Sequence, residues 1–142
     1  MQTAGPTVTL TGATTASPTF TAPSSETLTF ELTVTDENSL TDTDTVVITV
    51  NDRPVADAGA DLTVKRKTNF TLTGTGTDAD GDPLTYAWTQ LSGPPVVIRD
   101  PDQAEPIVEG APRATTLVFR LTVTDSNGAT HADDVTVTVK PK

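Results

Sequence analysis

Three aspartates at alternate positions, Asp78, Asp80 and Asp82, flank Gly81 and form the most concentrated chemistry in the sequence. Calcium is a hard cation that takes six to eight oxygens at about 2.3–2.6 Å. Carboxylates spaced this closely around a glycine that permits a sharp bend converge where a lone aspartate does not. The run is no EF-hand, because no Glu follows at the spacing that motif needs. A second reading stands beside the first: Asp and Gly are good turn formers, with side chains that satisfy loop amides.

Other chemistry is sparse. His131 is the sole histidine and lies beside Asp133 and Asp134. A triad needs a nucleophile within hydrogen-bond reach of the ring, and no glycine-flanked serine elbow occurs, so a solvated His131 is expected. Asp133 and Asp134 are neighbours on a strand and point to opposite faces, so they do not form a carboxylate dyad. No competent catalytic constellation is visible, and the expectation is a protein that is not an enzyme. Trp88 shares a strand face with Leu84 and Tyr86, which places it in a core. Phe30, Phe70 and Phe119 also fall on inward positions and Phe20 is left ambiguous, so no exposed stacking platform for sugars is expected. Asn69-Phe70-Thr71 fits a glycosylation acceptor pattern but sits on an expected strand.

The bulk properties narrow the partners. With 9 Lys and Arg against 19 Asp and Glu, the formal charge of -10 repels a phosphate backbone, so nucleic acid is not an expected partner. There is no Cys, which removes disulfides, thiolate chemistry and Cys-based metal sites. No apolar run approaches the ~20 residues that span a bilayer, and no basic-then-apolar signal segment opens the chain, so no membrane insertion is expected. The expectation is a soluble fragment of a longer precursor.

The elements that must position these residues emerge from an internal repeat. Gln2-Thr3-Ala4-Gly5-Pro6 matches Gln90-Leu91-Ser92-Gly93-Pro94, and Leu28 to Asp36 matches Leu117 to Asp125. The offset moves from 88 to 89 through one inserted residue between Pro106 and Pro112, and the match continues from Val46, Ile48 and Val50 to Val135, Val137 and Val139. Residue 1 falls opposite Thr89. Residues 1–51 therefore correspond to the C-terminal half of a module, and residues 52–142 to a complete one. The link at Asn51-Asp52-Arg53-Pro54 is too short to be a flexible tether.

Apolar and polar residues alternate with a period of two around Leu62 and Val64, Phe70 and Leu72, Leu84 to Trp88, Leu117 to Val123, and Val135 to Val139. Asp125-Ser126-Asn127-Gly128 reads as a hairpin turn. Thr makes up roughly a fifth of the chain, no stretch has a helical period, and Pro and Gly recur between the strands. The fold class is all-β.

The strings Pro54 to Asp61, Gly74 to Asp78 and Asp80-Gly81-Asp82-Pro83-Leu84-Thr85-Tyr86-Ala87-Trp88, with the closing Leu121-Thr122-Val123-Thr124-Asp125-Ser126-Asn127-Gly128, resemble polycystic-kidney-disease (PKD) domains. The likeness covers residues 53–140 and, for the back half, 5–50; Ser39 stands where the second copy has Gly128, and Lys65-Arg66-Lys67 is an unusually basic turn. The resemblance implies tandem immunoglobulin-like β-sandwiches, the first incomplete, of the kind found in surface proteins and secreted hydrolases. In such a sandwich the aspartate loop lies at the same end as the incoming linker and the last hairpin. Asn51, Asp52 and Asp125 then join Asp78, Asp80 and Asp82 as an expected Ca2+ ligand set.

The expected function is a non-catalytic extracellular module, secreted or on the cell surface. It acts as a spacer or adhesion domain beside neighbouring repeat modules, with calcium stiffening the junction. Two alternatives stay open: an accessory domain of a secreted hydrolase that binds collagen, chitin or another polymer, and a fibre subunit in which another protein chain completes residues 1–51. Simple exchange of front halves does not serve that purpose, because each chain has one front half and two back halves.

Overall fold

The computed structural model describes residues 1–141 and is all-β. Its strands are β1 (Gln2–Ala4), β2 (Thr27–Thr35), β3 (Thr41–Thr49), β4 (Val55–Asp57), β5 (Leu62–Lys65), β6 (Phe70–Thr71), β7 (Thr75–Thr77), β8 (Thr85–Ser92), β9 (Ile98–Arg99), β10 (Ile107–Val108), β11 (Thr115–Thr124) and β12 (Thr130–Lys140). The chain separates into two compact units, Met1–Asp52 and Arg53–Lys142.

The second unit is an immunoglobulin-like sandwich. One layer has the strand order β5-β12-β11-β8, with β5 and β12 parallel and the rest antiparallel. Against it stand the short sheets β6-β10-β9 and β4-β7. Alternation dictates which side chains meet. Leu117, Phe119, Leu121 and Val123 of β11, Val135, Val137 and Val139 of β12 and Trp88 of β8 are all buried, as are Ala56, Leu72 and Val108 from the facing elements. Burial of each large aliphatic side chain contributes roughly 1.5–3 kcal/mol. Trp88 is 3% exposed and its indole donates to the Ala104 carbonyl at 3.2 Å, which confirms it as a core residue.

The first unit is a three-stranded antiparallel sheet, β1-β2-β3, and it reproduces the back half of the second in detail. Gln2 opposes Phe30 and Ala4 opposes Thr29, with a bulge between, as Gln90 opposes Phe119 and Ser92 opposes Val118. The bridge between Thr11 and Thr19 stands where Arg99 pairs with Ile107. The glutamine at each corner explains the repeated Gln-x-x-Gly-Pro. Gln90 donates to Ser92 O and Pro94 O and accepts from the Val96 amide; Gln2 donates to Ala4 O and Pro6 O and accepts from the Val8 amide. The glycines that follow, Gly5 and Gly93, have φ of 89° and 96°. A Cβ on either would lie 2.5–2.6 Å from a carbonyl of the paired strand, so only glycine lets the corner close.

Candidate metal centre

The loop from β7 to β8 is built around Asp78. Its Oδ1 accepts from the Asp80 amide at 2.9 Å and from the Asp82 amide at 3.3 Å, folding the chain back on itself. Gly81 takes φ of 76° to complete the reversal. The turn-forming role is thus carried by one oxygen. The other, Oδ2, is buried and has no hydrogen-bond partner among the described residues.

One ligand atom each from Asp78, Asp80 and Asp82 lies within 4.8 Å of the others. Oxygens on opposite sides of a calcium ion stand about 5 Å apart at most, so this spread is one that a single ion spans. Asp82 and Asp78 are half-buried and Asp80 is exposed, which leaves an open side for further oxygens, including water.

The β11–β12 hairpin adjoins this loop. Asn127 Nδ2 donates to Asp82 Oδ2 at 2.7 Å. Asp125 is buried, and its Oδ1 accepts from the Asn127 amide at 2.9 Å and the Ala129 amide at 2.8 Å. Asp36 does the same in the first unit, accepting from Asn38 at 2.8 Å and Leu40 at 2.9 Å. Asp125 therefore shapes the hairpin that presents Asn127, and reaches the aspartate cluster through it. Asn51 and Asp52 close the first unit, where the Asn51 carboxamide donates to the Asp52 carbonyl at 2.9 Å.

His131 is not a solvated side chain. It is half-buried, and its Nδ1 accepts from the Ala56 amide at 3.0 Å, which puts the ring proton on Nε2. Asp133 Oδ2 accepts from the Ala58 amide at 2.8 Å. Together they fasten β4 and the residue after it onto β12, satisfying amides that would otherwise be orphaned beside the sheet. Asp134 points to the opposite face, where Arg120 donates to both its oxygens at 2.7 and 2.8 Å. Hydrogen bonding from Arg120 holds the Asp134 carboxyl below the usual aspartate range, and the same bond raises Arg120. Sequence patterns did not reveal the roles of Asn127 and His131, whose partners lie 45 and 75 residues away.

The family model described as K319L-like, PKD domain, matches residues 1–50 and 58–139. The solution structure of the PKD domain from the KIAA 1837 protein is 30% identical with a TM-score of 0.53, covering 61% of this chain and 86% of that one. A nucleoside hydrolase-related hypothetical protein from Saccharophagus degradans, associated with carbohydrate metabolism, is 21% identical with a TM-score of 0.57; the match covers 65% of this chain and spans 26% of that protein. Extracellular domains 3–5 of Drosophila OTK match at 13% identity and a TM-score of 0.56, covering 80% of this chain and 40% of that one. The last two likenesses show a shared fold. No curated protein matches the chain.

Proposed function

The chain belongs to the K319L-like PKD domain family, and from that premise we propose that it is a non-catalytic extracellular module, a spacer or adhesion domain whose aspartate loop binds calcium. The observation that carries the calcium reading is Asp78 Oδ2, a buried carboxylate oxygen without a hydrogen-bond partner among the described residues. A buried anionic oxygen is costly unless something compensates it. A cation held between Asp78, Asp80 and Asp82 supplies that compensation, and the Asn127 bond holds Asp82 in place for it. Binding there would brace the β7–β8 loop, which gives a spacer a stiffer end.

The non-catalytic reading is supported by the engagement of the titratable groups. His131 Nδ1 is taken by a backbone amide, and Asp133 and Asp134 serve separate structural contacts on opposite faces. The burial of Trp88 and Phe119 favours a spacer over a sugar-binding accessory domain, because the largest aromatic surfaces are spent in the core.

The test is a calcium titration of thermal unfolding followed by Trp88 fluorescence. Trp88 is the sole tryptophan and lies in the second unit, so it reports the unit that carries the site. Calcium at about 100 times its dissociation constant adds about 2.7 kcal/mol to stability. A midpoint unmoved by millimolar calcium or by chelator would remove calcium from the proposal and leave the spacer reading to rest on the family alone.

A further inference from the structure

All nine basic residues of the chain fall within the second unit, and five of them meet at one end of it. Lys65 closes β5 and is the register partner of Lys140 at the end of β12, so two lysines stand side by side on neighbouring strands. The chain then turns through Arg66 and Lys67. The Arg66 amide donates to the Lys140 carbonyl at 3.0 Å, and the Lys67 amide donates to the Ala111 carbonyl at 2.9 Å. Gly110 packs so closely on this turn that a Cβ there would stand 2.3 Å from the Thr68 nitrogen. Arg113 follows in the same loop before β11, and all five basic residues are exposed.

A chain with 19 carboxylates has acid to spare, and it neutralises Arg99 with Glu109 and Arg120 with Asp134. None of Lys65, Arg66, Lys67, Arg113 and Lys140 makes an ion pair among the described residues. Glu109, beside Gly110, is taken by Arg99, and Asp61, at the far end of β5, accepts from the Thr136 amide. Like charges on register partners are destabilising. Lys67 also holds φ of 57°, a left-handed conformation that glycine adopts at lower cost. Folding alone would be served better by glycine at 67 and by a neutral residue at 65 or 140. Unneutralised charge on a turn fixed by three backbone segments is instead suited to an anionic ligand.

We propose that this end of the second unit binds a linear anionic polysaccharide, whose carboxylates or sulfates bridge the Lys65–Lys140 pair and reach Arg66, Lys67 and Arg113. The formal charge of -10 does not forbid it. β12 has 11 residues and therefore spans about 35 Å. Lys140 is thus separated from the β11–β12 hairpin and the aspartate loop beside it by several of the ~8 Å screening lengths of physiological salt. A thin polymer meets the local positive charge, whereas a bilayer extends past the patch onto the rest of an acidic molecule. No aromatic side chain is exposed among the described residues, so single-stranded nucleic acid finds nothing to stack on. Recognition by charge needs no such platform, and the burial of Trp88 does not weigh against it. The proposal names a ligand class for the adhesion side of the proposed function and rests on that reading for its extracellular ligand; it makes no use of the aspartate loop.

The probe is fluorescein-labelled heparin, titrated with the full chain at about 0.15 M salt while anisotropy is read, in parallel with calcium and with EDTA. Saturable binding is expected in both buffers. Lys65→Gln combined with Lys67→Gly should weaken it about tenfold or more and make it less sensitive to salt. Glycine suits the backbone at 67 and residue 65 is exposed, so this variant is expected to fold, which its Trp88 fluorescence verifies. Arg53→Gln combined with Arg120→Gln removes the same charge elsewhere and should weaken binding less than about twofold. Absence of binding, or an equal loss in the two double variants, would overturn the site and leave the calcium and spacer readings to their own test. Loss of binding in EDTA would overturn it as well, because the polymer would then be held through calcium at the aspartate loop. So would stronger competition by an oligothymidylate or by phosphatidylserine vesicles than by unlabelled heparin, because the occupant would then be a nucleic acid or a membrane.

Discussion

Asn127 and Asp82 join the two loops at one end of the second unit, with Nδ2 donating to Oδ2 at 2.7 Å. The bond fixes one carboxylate of the cluster from outside its own loop, while Asp78 fixes the loop from within through the Asp80 and Asp82 amides. The loop's shape is thus held by Asp78 Oδ1 and by Asn127, and Asp78 Oδ2 is not needed for it.

That division makes Asp78→Asn informative. The variant retains Oδ1 for the two loop amides and replaces a buried charged oxygen with a neutral amide. In calcium-free buffer the unfolding free energy of the second unit is expected to change by less than about 1 kcal/mol, because no hydrogen bond is lost and a buried charge is removed. The stabilisation by calcium should disappear. Denaturant titrations read by Trp88 fluorescence, with and without calcium, measure both quantities. Retention of the full calcium effect in the variant would place the ion elsewhere.

Gln90→Ala tests the corner that the repeat made visible. The glutamine satisfies Ser92 O, Pro94 O and the Val96 amide, the last two contacts partly buried. Truncation leaves those groups without their partner at the bulge where β8 leaves β11, and a loss of about 2 kcal/mol is expected. Gln90→Glu restores the acceptor for Val96 but not the donor, so it should recover only part of the loss. Equal stability of the alanine variant and the parent protein in urea unfolding would show the corner to be held by Gly93 and packing alone.

The long strands were legible because half-buried strands alternate over five or more residues, as Leu117 to Val123 does. β4, β7, β9 and β10 have two or three residues each and offer no such run. β7 also hides its inward position, since Gly76 occupies the place where an apolar residue would mark the core, with Val123 and Leu84 filling the space a Cβ would need. The aspartate cluster was readable from spacing, and the structure brings Asp78, Asp80 and Asp82 together. The fastening of β4 by His131 and Asp133 was not readable, because it depends on a crossing between segments distant in sequence. A lone histidine on a strand has the same local pattern whether it is wet or holds an amide.

Ser39 adopts φ of 64° at the place where Gly128 has 88°. Both hairpins have the same hydrogen bonds from the turn amide to the preceding aspartate carbonyl, at 3.1 Å for Ser39 and 3.3 Å for Gly128. The left-handed conformation costs a residue with a Cβ roughly 1–2 kcal/mol, and glycine's greater unfolded-state freedom offsets part of that. Ser39→Gly should therefore stabilise the β2–β3 hairpin by a few tenths to about 1 kcal/mol. Slower amide hydrogen exchange at Leu40 and Asp36, with no change at Asp125, is the expected readout. Faster exchange would mean that the serine side chain contributes more than its backbone strain removes.

Arg120 and Asp134 form an exposed pair across β11 and β12, and the first unit has Glu31 and Thr45 at the same register. The pair therefore gives the second unit a pH dependence that the first does not share. The Asp134 carboxyl is held below its ordinary range, chiefly by the hydrogen bond from Arg120, so the folded state releases its proton more readily than the unfolded chain. Its contribution is fully present above the unfolded aspartate value of about 3.9 and is lost as pH falls through the lower folded value. Arg120 is shifted upward, so its share persists at every pH below the ordinary arginine range. Asp134→Asn should thus lower stability at neutral pH by a small amount that fades as the pH drops below about 4, and that shrinks in high salt because exposed charges are screened within about 10 Å at 0.1 M. Urea midpoints of the parent and variant, followed by Trp88 fluorescence from pH 7 to pH 2, should converge at the acid end. A gap that stays constant across that range would mean that the asparagine disturbs the β11–β12 ladder itself rather than the ion pair.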